Sequence, residues 1–177
     1  MPDRNLVGTS RNYDWGVYNA ISNGGNVAGT WRTLTGDEWD YLLRRRTTTG
    51  VVGGMGNALY MKAQVCGVNG MIIFPDIFTY PDGIPTASGV NNPSAEYHST
   101  WLTMSEWTIL ESKGCVFLPA AGTRYGVDFS RTVGAEGYYW SSSYSEKCIY
   151  FSDTQAGTRG YGRTGAGYSV RLVRDIQ

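Results

Sequence analysis

Apolar positions recur at one-face helical spacing in two stretches that begin alike. Thr35 is followed three residues later by Glu38 and then by Trp39, Leu42 and Leu43; Thr103 is followed by Glu106 and then by Trp107 and Leu110. A threonine with a glutamate three residues on is a capping box, in which each side chain satisfies an amide of the other's first turn. The pattern predicts helices over about 36–46 and about 104–113, the second closed by Gly114, each burying one tryptophan. A third, shorter helix is expected in YDWGVYNAIS (13–22), stopped by Asn23-Gly24-Gly25.

The rest of the pattern is that of short strands. Segments 59–66 and 71–74 are largely apolar and flank Val68-Asn69-Gly70, where Asn-Gly predicts a hairpin turn because both residues tolerate positive φ. Segment 75–93 is rich in Pro, Gly, Asn and Ser and reads as a long loop. After Gly114 the strings CVFLPAAG, GYYWSSS, CIYFSD and GYSVRLVR read as strands, the last with partial alternation over 169–174. The fold class expected is α+β, loop-rich, with two helices packed on short antiparallel sheets. Core positions expected in the later half are Tyr139, Trp140, Ile149, Phe151, Val170, Leu172 and Val173.

Composition sharpens this picture. The 177 residues suit one domain, large enough to fold without a disulfide or metal. They include 24 Gly, 13 Tyr and 6 Trp, with only 17% charged. Such a mix suits shaped loops and strands, and Tyr, Ser and Gly are also common in binding surfaces. The 15 basic and 15 acidic residues cancel, and without a basic stripe no nucleic-acid partner is expected. Arg44-Arg45-Arg46 falls at the end of the first capped helix, where cations meet the dipole. Cys66, Cys115 and Cys148 are odd in number and widely spaced, which argues against a zinc site or disulfide framework and for buried free thiols. No apolar run approaches the ~18 residues of a spanning helix, so no membrane insertion is expected. The first residues lack the apolar centre of a signal peptide.

Taken together, the strings DWGVYNAISNGG, TWRTLTGDEW, VNGMIIFPD, FLPAAGTRYG, GYYWSSS and GYSVRLVR resemble a family of phage and bacterial proteins. These are the variable proteins of diversity-generating retroelements and their unvaried relatives in gut bacteria. The resemblance runs from about Asn12 to Arg174. It implies a C-type-lectin-like fold, in the version shared with formylglycine-generating enzyme, occupying 13–177 after a short tail over 1–12. Family members usually carry a longer stretch before the YDWGVYNAI motif. The resemblance also implies a non-catalytic module with a diversifiable region at about 123–168, displayed on a phage tail or bacterial surface. In the family, mutagenesis rewrites adenines in a C-terminal repeat, mostly at asparagine codons. Nine asparagines lie between Met1 and Gly122 and none after, which fits such a history, although Glu146, Lys147 and Gln155 are not reachable from an AAC codon. The alternative is a fixed structural or adhesin domain of a bacterial surface protein.

Diversification requires that stability and contact reside in different residues, because core changes cost several kcal/mol and surface changes about half a kcal/mol. The binding face is therefore expected on one upstream loop and three later segments. The loop supplies Thr123, Arg124, Tyr125, Asp128 and Phe129. The later segments supply Tyr144, Glu146 and Lys147; then Tyr150, Ser152 and Asp153; then Arg159, Tyr161 and Arg163. Tyrosines offer amphipathic area at low entropic cost, and arginines planar donors for carboxylates or rings. The expected target is a protein or glycan of a cell surface.

Catalytic readings are weaker. His98 is the one histidine and completes no Ser-His-Asp set by spacing. Segment 160–165 matches G-x-G-x-x-G but leads into a strand rather than opening a helix. The enzyme branch of the resembled fold uses a reactive cysteine pair, whereas Cys148 has no second cysteine within thirty residues. The calcium-lectin strings E-P-N, Q-P-D and W-N-D are missing. No catalysis, cofactor or metal is expected.

Overall fold

A buried aspartate organises the first helix and strand. In the computed structural model, residues 14–126, 128–129, 132–143, 148–159 and 166–175 are described. The Asp14 carboxylate, 2% exposed, accepts from the Gly16 amide at 3.2 Å and from the Thr33 amide and hydroxyl at 2.6 and 2.9 Å. It thereby caps α1 (Trp15–Tyr18) and ties it to β1 (Arg32–Thr33). The helix stops short of the expected 22, because the Ile21 carbonyl accepts the amides of Gly24 and Asn26 and turns the chain.

Both capping boxes form. Thr35 opens α2 (Gly36–Asp40) and Thr103 opens α3 (Met104–Ser112), each with reciprocal bonds to its glutamate. Glu38 also accepts a two-pronged contact from Arg32 at 2.7 and 2.9 Å, and that guanidinium holds its carboxyl below the usual carboxylate range. Trp39 and Trp107 are buried, and Gly114, with φ +91, ends the second helix. Helix α2 widens into a π-type turn over Tyr41–Arg45. There Arg44 and Arg45 reach back to Asp40. Arg46 does more than meet the helix dipole, since its side chain is 2% exposed. Its guanidinium donates to the Leu42 and Leu59 carbonyls and pairs with Asp76 at 2.7 Å. It is a buried clamp between the helix and the central sheet.

That sheet runs in the order β4-β2-β3-β5, formed by β2 (Tyr60–Val65), β3 (Val68–Ile73), β4 (Trp101–Leu102) and β5 (Val116–Pro119). All pairings are antiparallel except β2 with β4. It is buried on both faces, so its strands lack polar alternation. Met61, Ala63 and Val65 join Ile72 and Phe74 on one face, against Trp107 and Leu110 of α3. Phe78, Ile84, Ala87 and Val90 of the long 75–93 loop fill the same cluster, so this loop is part of the core. Tyr60, Met71 and Ile73 join the other face, against Trp39, Leu43, Tyr139, Ile149 and Phe151.

The β2–β3 turn differs from the expected Asn69-Gly70. It falls at Cys66 (φ +50) and Gly67 (φ +82), with Val65 facing Val68, the paired positive φ of a two-residue hairpin. Gly70 sits inside the strand because a Cβ there would meet the Phe117 ring at 2.4 Å and the Leu118 oxygen at 2.5 Å. Asn69 uses its amide to donate to the Gly134 carbonyl at 2.8 Å. The shifted turn also exposes Cys66, against the expectation of three buried thiols; Cys115 and Cys148 are buried.

The later half adds three small sheets. β8 (Gly137–Trp140), β9 (Cys148–Phe151) and β10 (Ala156–Arg159) form an antiparallel sheet in the order β10-β9-β8. β6 (Arg124–Tyr125) lies between β7 (Asp128–Phe129) and β11 (Ala166–Gly167). β12 (Leu172–Val173) pairs with β1. The fold is thus mixed α+β with few helices and several small sheets. Tyr139, Ile149 and Phe151 are core residues as expected. Val170 is not: it is 50% exposed, because only Leu172 and Val173 of the expected terminal strand pair with β1. Trp140 is half-buried on the opposite sheet face from Tyr139, as strand alternation requires.

One buried charge holds these layers together. Lys62 on β2 has no exposed surface. Its ammonium donates to the Pro93 carbonyl at 2.9 Å and the Ser152 carbonyl at 2.5 Å, and lies 5.8 Å from the Tyr97 ring centre. Among the described residues, no helix is long and apolar enough to cross a membrane.

Two tests follow from these contacts. Thr35→Ala and Thr103→Ala should each lower the unfolding free energy by about 1 kcal/mol in urea titrations, with little change in the slope. The second concerns pH. Burial pushes the Lys62 ammonium down to about 8, against about 10.4 in an unfolded chain. Between those values the unfolded chain keeps a proton that the folded chain has released, so this group favours folding as pH rises, and its contribution is lost as pH falls through 8. Burial pushes Cys115 up to about 12 and Cys148 up to about 11, which opposes it, since unfolded thiols ionise first. Lys62→Met should therefore lose stability between about pH 8 and 10 more steeply than the parent, by about 1.4 kcal/mol per pH unit. Parallel profiles would mean that the ammonium is hydrated.

Candidate ligand-binding face

Strand register sets out the face. Tyr138 stands opposite Tyr150, which stands opposite Gly157; Trp140 stands opposite Cys148, which stands opposite Arg159. With Tyr139, Ile149 and Phe151 turned inward, these residues belong to the other side of the sheet. Tyr168 packs onto it because Ser169 bridges to Tyr139, its amide donating to the Tyr138 carbonyl and its carbonyl accepting from the Trp140 amide.

The result is a continuous aromatic ladder. Ring centres are 4.4 Å apart for Trp140 and Tyr168, 4.8 Å for Tyr168 and Tyr138, and 4.8 Å for Tyr138 and Tyr150. The Arg159 guanidinium closes it, 3.7 Å from the Tyr150 ring centre, and also donates to Gln155 at 2.8 Å. The Glu136 carboxylate accepts the Tyr150 hydroxyl at 3.0 Å and, more distantly, that of Tyr138 at 3.4 Å. Burial first, and the Glu136 charge second, hold the Tyr138 phenol above its ordinary range. Gly137 at the start of β8 is required, since a Cβ would stand 2.1 Å from the Phe151 ring.

Two supports fix the ladder to the core. The Trp39 indole donates to the Trp140 carbonyl at 3.2 Å, and the Tyr139 hydroxyl donates to the Pro119 carbonyl at 2.9 Å. The upstream loop joins at the edge. Gly122 bridges to Gly137, Tyr125 faces Ala166 of β11, and β11 runs on into Tyr168.

The expected binding residues divide into three groups. Arg124 and Tyr125 are exposed, Tyr125 at 42%, with Thr123 half-buried beside them; Asp153 and Arg159 are also exposed. Tyr150 and Ser152 depart from the expected outward placement, at 7% and 5% exposed. Tyr150 lies beneath Arg159 and bonds Glu136, and the Ser152 carbonyl receives the Lys62 ammonium. The backbone of Asp128 and Phe129 lies in β7 beside β6, while their side chains, together with Tyr144, Glu146, Lys147, Tyr161 and Arg163, lie outside the described residues. So does the glycine-rich 160–165 segment.

As members of this face or its supports, sequence reasoning missed Tyr138, Trp140 (expected in the core), Tyr168, Glu136 and Lys62. The first two were accessible, since strict period-two reading of GYYW puts Tyr138 and Trp140 opposite Tyr139. The others depend on contacts far along the chain.

The chemistry on offer is stacking, cation–π contact and hydrogen bonding. Cys148 is a poor nucleophile at neutral pH, its thiol pushed up to about 11 by burial. His98 is exposed on a short 3-10 turn (Tyr97–Ser99), beside a cleft it shares with Glu96 and Asp153. Among the described residues, no three His, Cys, Asp or Glu side chains gather to hold a metal ion. Comparison with family models, curated proteins and solved structures finds no match to this chain.

Proposed function

We propose that this chain is a non-catalytic ligand-binding module of C-type-lectin-like fold, related to the variable proteins of diversity-generating retroelements and displayed on a phage tail or bacterial surface. The observation that supports this most is the division of labour within the β8–β10 region. Tyr139, Ile149 and Phe151 are spent on the core, while Arg124, Tyr125, Asp153 and Arg159 stand in solvent around a braced aromatic platform. Exposed positions of this kind tolerate replacement, and a rigid base lets each replacement act on recognition alone. The face is broad, which favours a protein target over a small glycan.

A second reading has its own support. The ladder's tyrosines are engaged with one another and with Glu136, as suits the fixed architecture of an adhesin domain. The flanking DNA separates the two: a near-identical, asparagine-codon-rich copy of the C-terminal segment beside a reverse transcriptase belongs with the first. Complete flanking DNA without one belongs with the second.

The first reading predicts a separation of effects. In a screen of bacterial surface proteins and glycans, the parent chain should bind a defined target. A combined Arg124→Ala, Tyr125→Ala, Asp153→Ala, Arg159→Ala variant should lose that target while its melting temperature shifts by no more than about 3 °C. Retained binding would remove this face from the function. A collapse in melting temperature would make these residues structural.

A further inference from the structure

A second concavity lies away from the aromatic face and shares none of its ladder residues. It is a cavity of about 410 Å³ between α2, the ends of β3 and β5, and the β1–β12 pair. Its floor is Trp39, Phe74 and Leu118, each at most 1% exposed. Leu42 and Leu172 form partly buried walls. The volume falls within the range of small-molecule sites, roughly 300–1,000 Å³. It is less than three times the ~150 Å³ that accommodates benzene in an engineered cavity, and an alkyl tail of roughly ten to twelve carbons fits.

The rim is polar and its charges do not cancel. Arg46 is fully committed, donating to the Leu42 and Leu59 carbonyls and pairing with Asp76, which neutralises it. Arg171 is exposed at the same rim. Among the described residues it has neither an ion pair nor a side-chain hydrogen bond. An apolar interior with one uncompensated guanidinium at its mouth is complementary to a molecule with an apolar body and one anionic head.

We propose that this cavity binds an amphipathic carboxylate, its alkyl chain between Trp39 and Leu172 and its head on Arg171. The guanidinium presents two parallel donors to a carboxylate, while the chain displaces weakly held water from apolar walls. This inference stands independently of the aromatic face and of any display role.

The test is titration of the full chain with dodecanoate below its micelle concentration, followed by calorimetry and by the fluorescence of the lining tryptophans. Saturable binding of one molecule per chain is expected. Dodecan-1-ol and dodecylamine should each bind about tenfold more weakly or worse. Arg171→Gln should weaken dodecanoate about tenfold while leaving dodecan-1-ol unchanged. Leu172→Trp should partly fill the cavity and weaken binding of both about tenfold or more; if that chain fails to melt cooperatively, Leu42→Trp serves the same end. Lack of saturable binding by the parent would overturn the proposal. So would dodecanoate binding unchanged by the partly filled cavity, or equal affinity for the acid and the amine.

Discussion

The arrangement of this protein depends on an ammonium group kept out of water. Lys62 lies in the middle of β2, a strand otherwise buried on both faces, and its charge ends on two backbone carbonyls. Burying an unpaired charge is costly, and hydrogen bonds to carbonyls recover only part of that cost. What the arrangement provides is connection. Pro93 belongs to the end of the long loop and Ser152 to the turn between β9 and β10, so one side chain joins three segments 31 and 90 residues apart. A hydrophobic residue in its place would fill space without defining where either carbonyl must sit.

The sheet around Lys62 faces two separate clusters, and these have different consequences. One cluster closes against α3 and the long loop and carries no part of the candidate face. The other reaches through Tyr139, Ile149 and Phe151 into the β8–β10 sheet, whose reverse side carries the ladder. A core replacement in the second cluster would therefore tilt the platform, whereas one in the first would cost stability alone. Trp39 ties the second cluster to the platform, because its ring packs against Tyr139 while its indole holds the Trp140 carbonyl.

What was legible in the sequence was what is decided locally. The capping boxes at Thr35 and Thr103 were readable because both partners lie within one helical turn. The inward turn of Tyr139, Ile149 and Phe151 followed from strand patterning. The hairpin turn was misread because Gly70 is demanded by Phe117 and Leu118 on a strand almost fifty residues away, not by its own φ. By sequence, Arg46 reads as a dipole partner from its place at a helix end, and Tyr150 and Ser152 read as binding-face residues from their places beside core positions. Each instead bonds a residue outside its own segment: Asp76, Glu136 and Lys62 respectively. Of the candidate face, the exposed members were foreseen and the stacked platform beneath them was not.

That platform bears on the binding role proposed for this face. Free tyrosines lose rotamer freedom on binding, and a loop built only of them would forfeit affinity to that ordering. Here Tyr138, Tyr150 and Tyr168 are already stacked, and Arg159 already lies on Tyr150 at 3.7 Å. Much of that ordering is therefore already complete in the folded chain. In the proposed role, the exposed edge of the ladder is a fixed reference against which Tyr125, Asp153 and their neighbours differ. Rigidity beneath and tolerance above are the same physical fact, since side chains that already satisfy one another ask nothing of those placed over them.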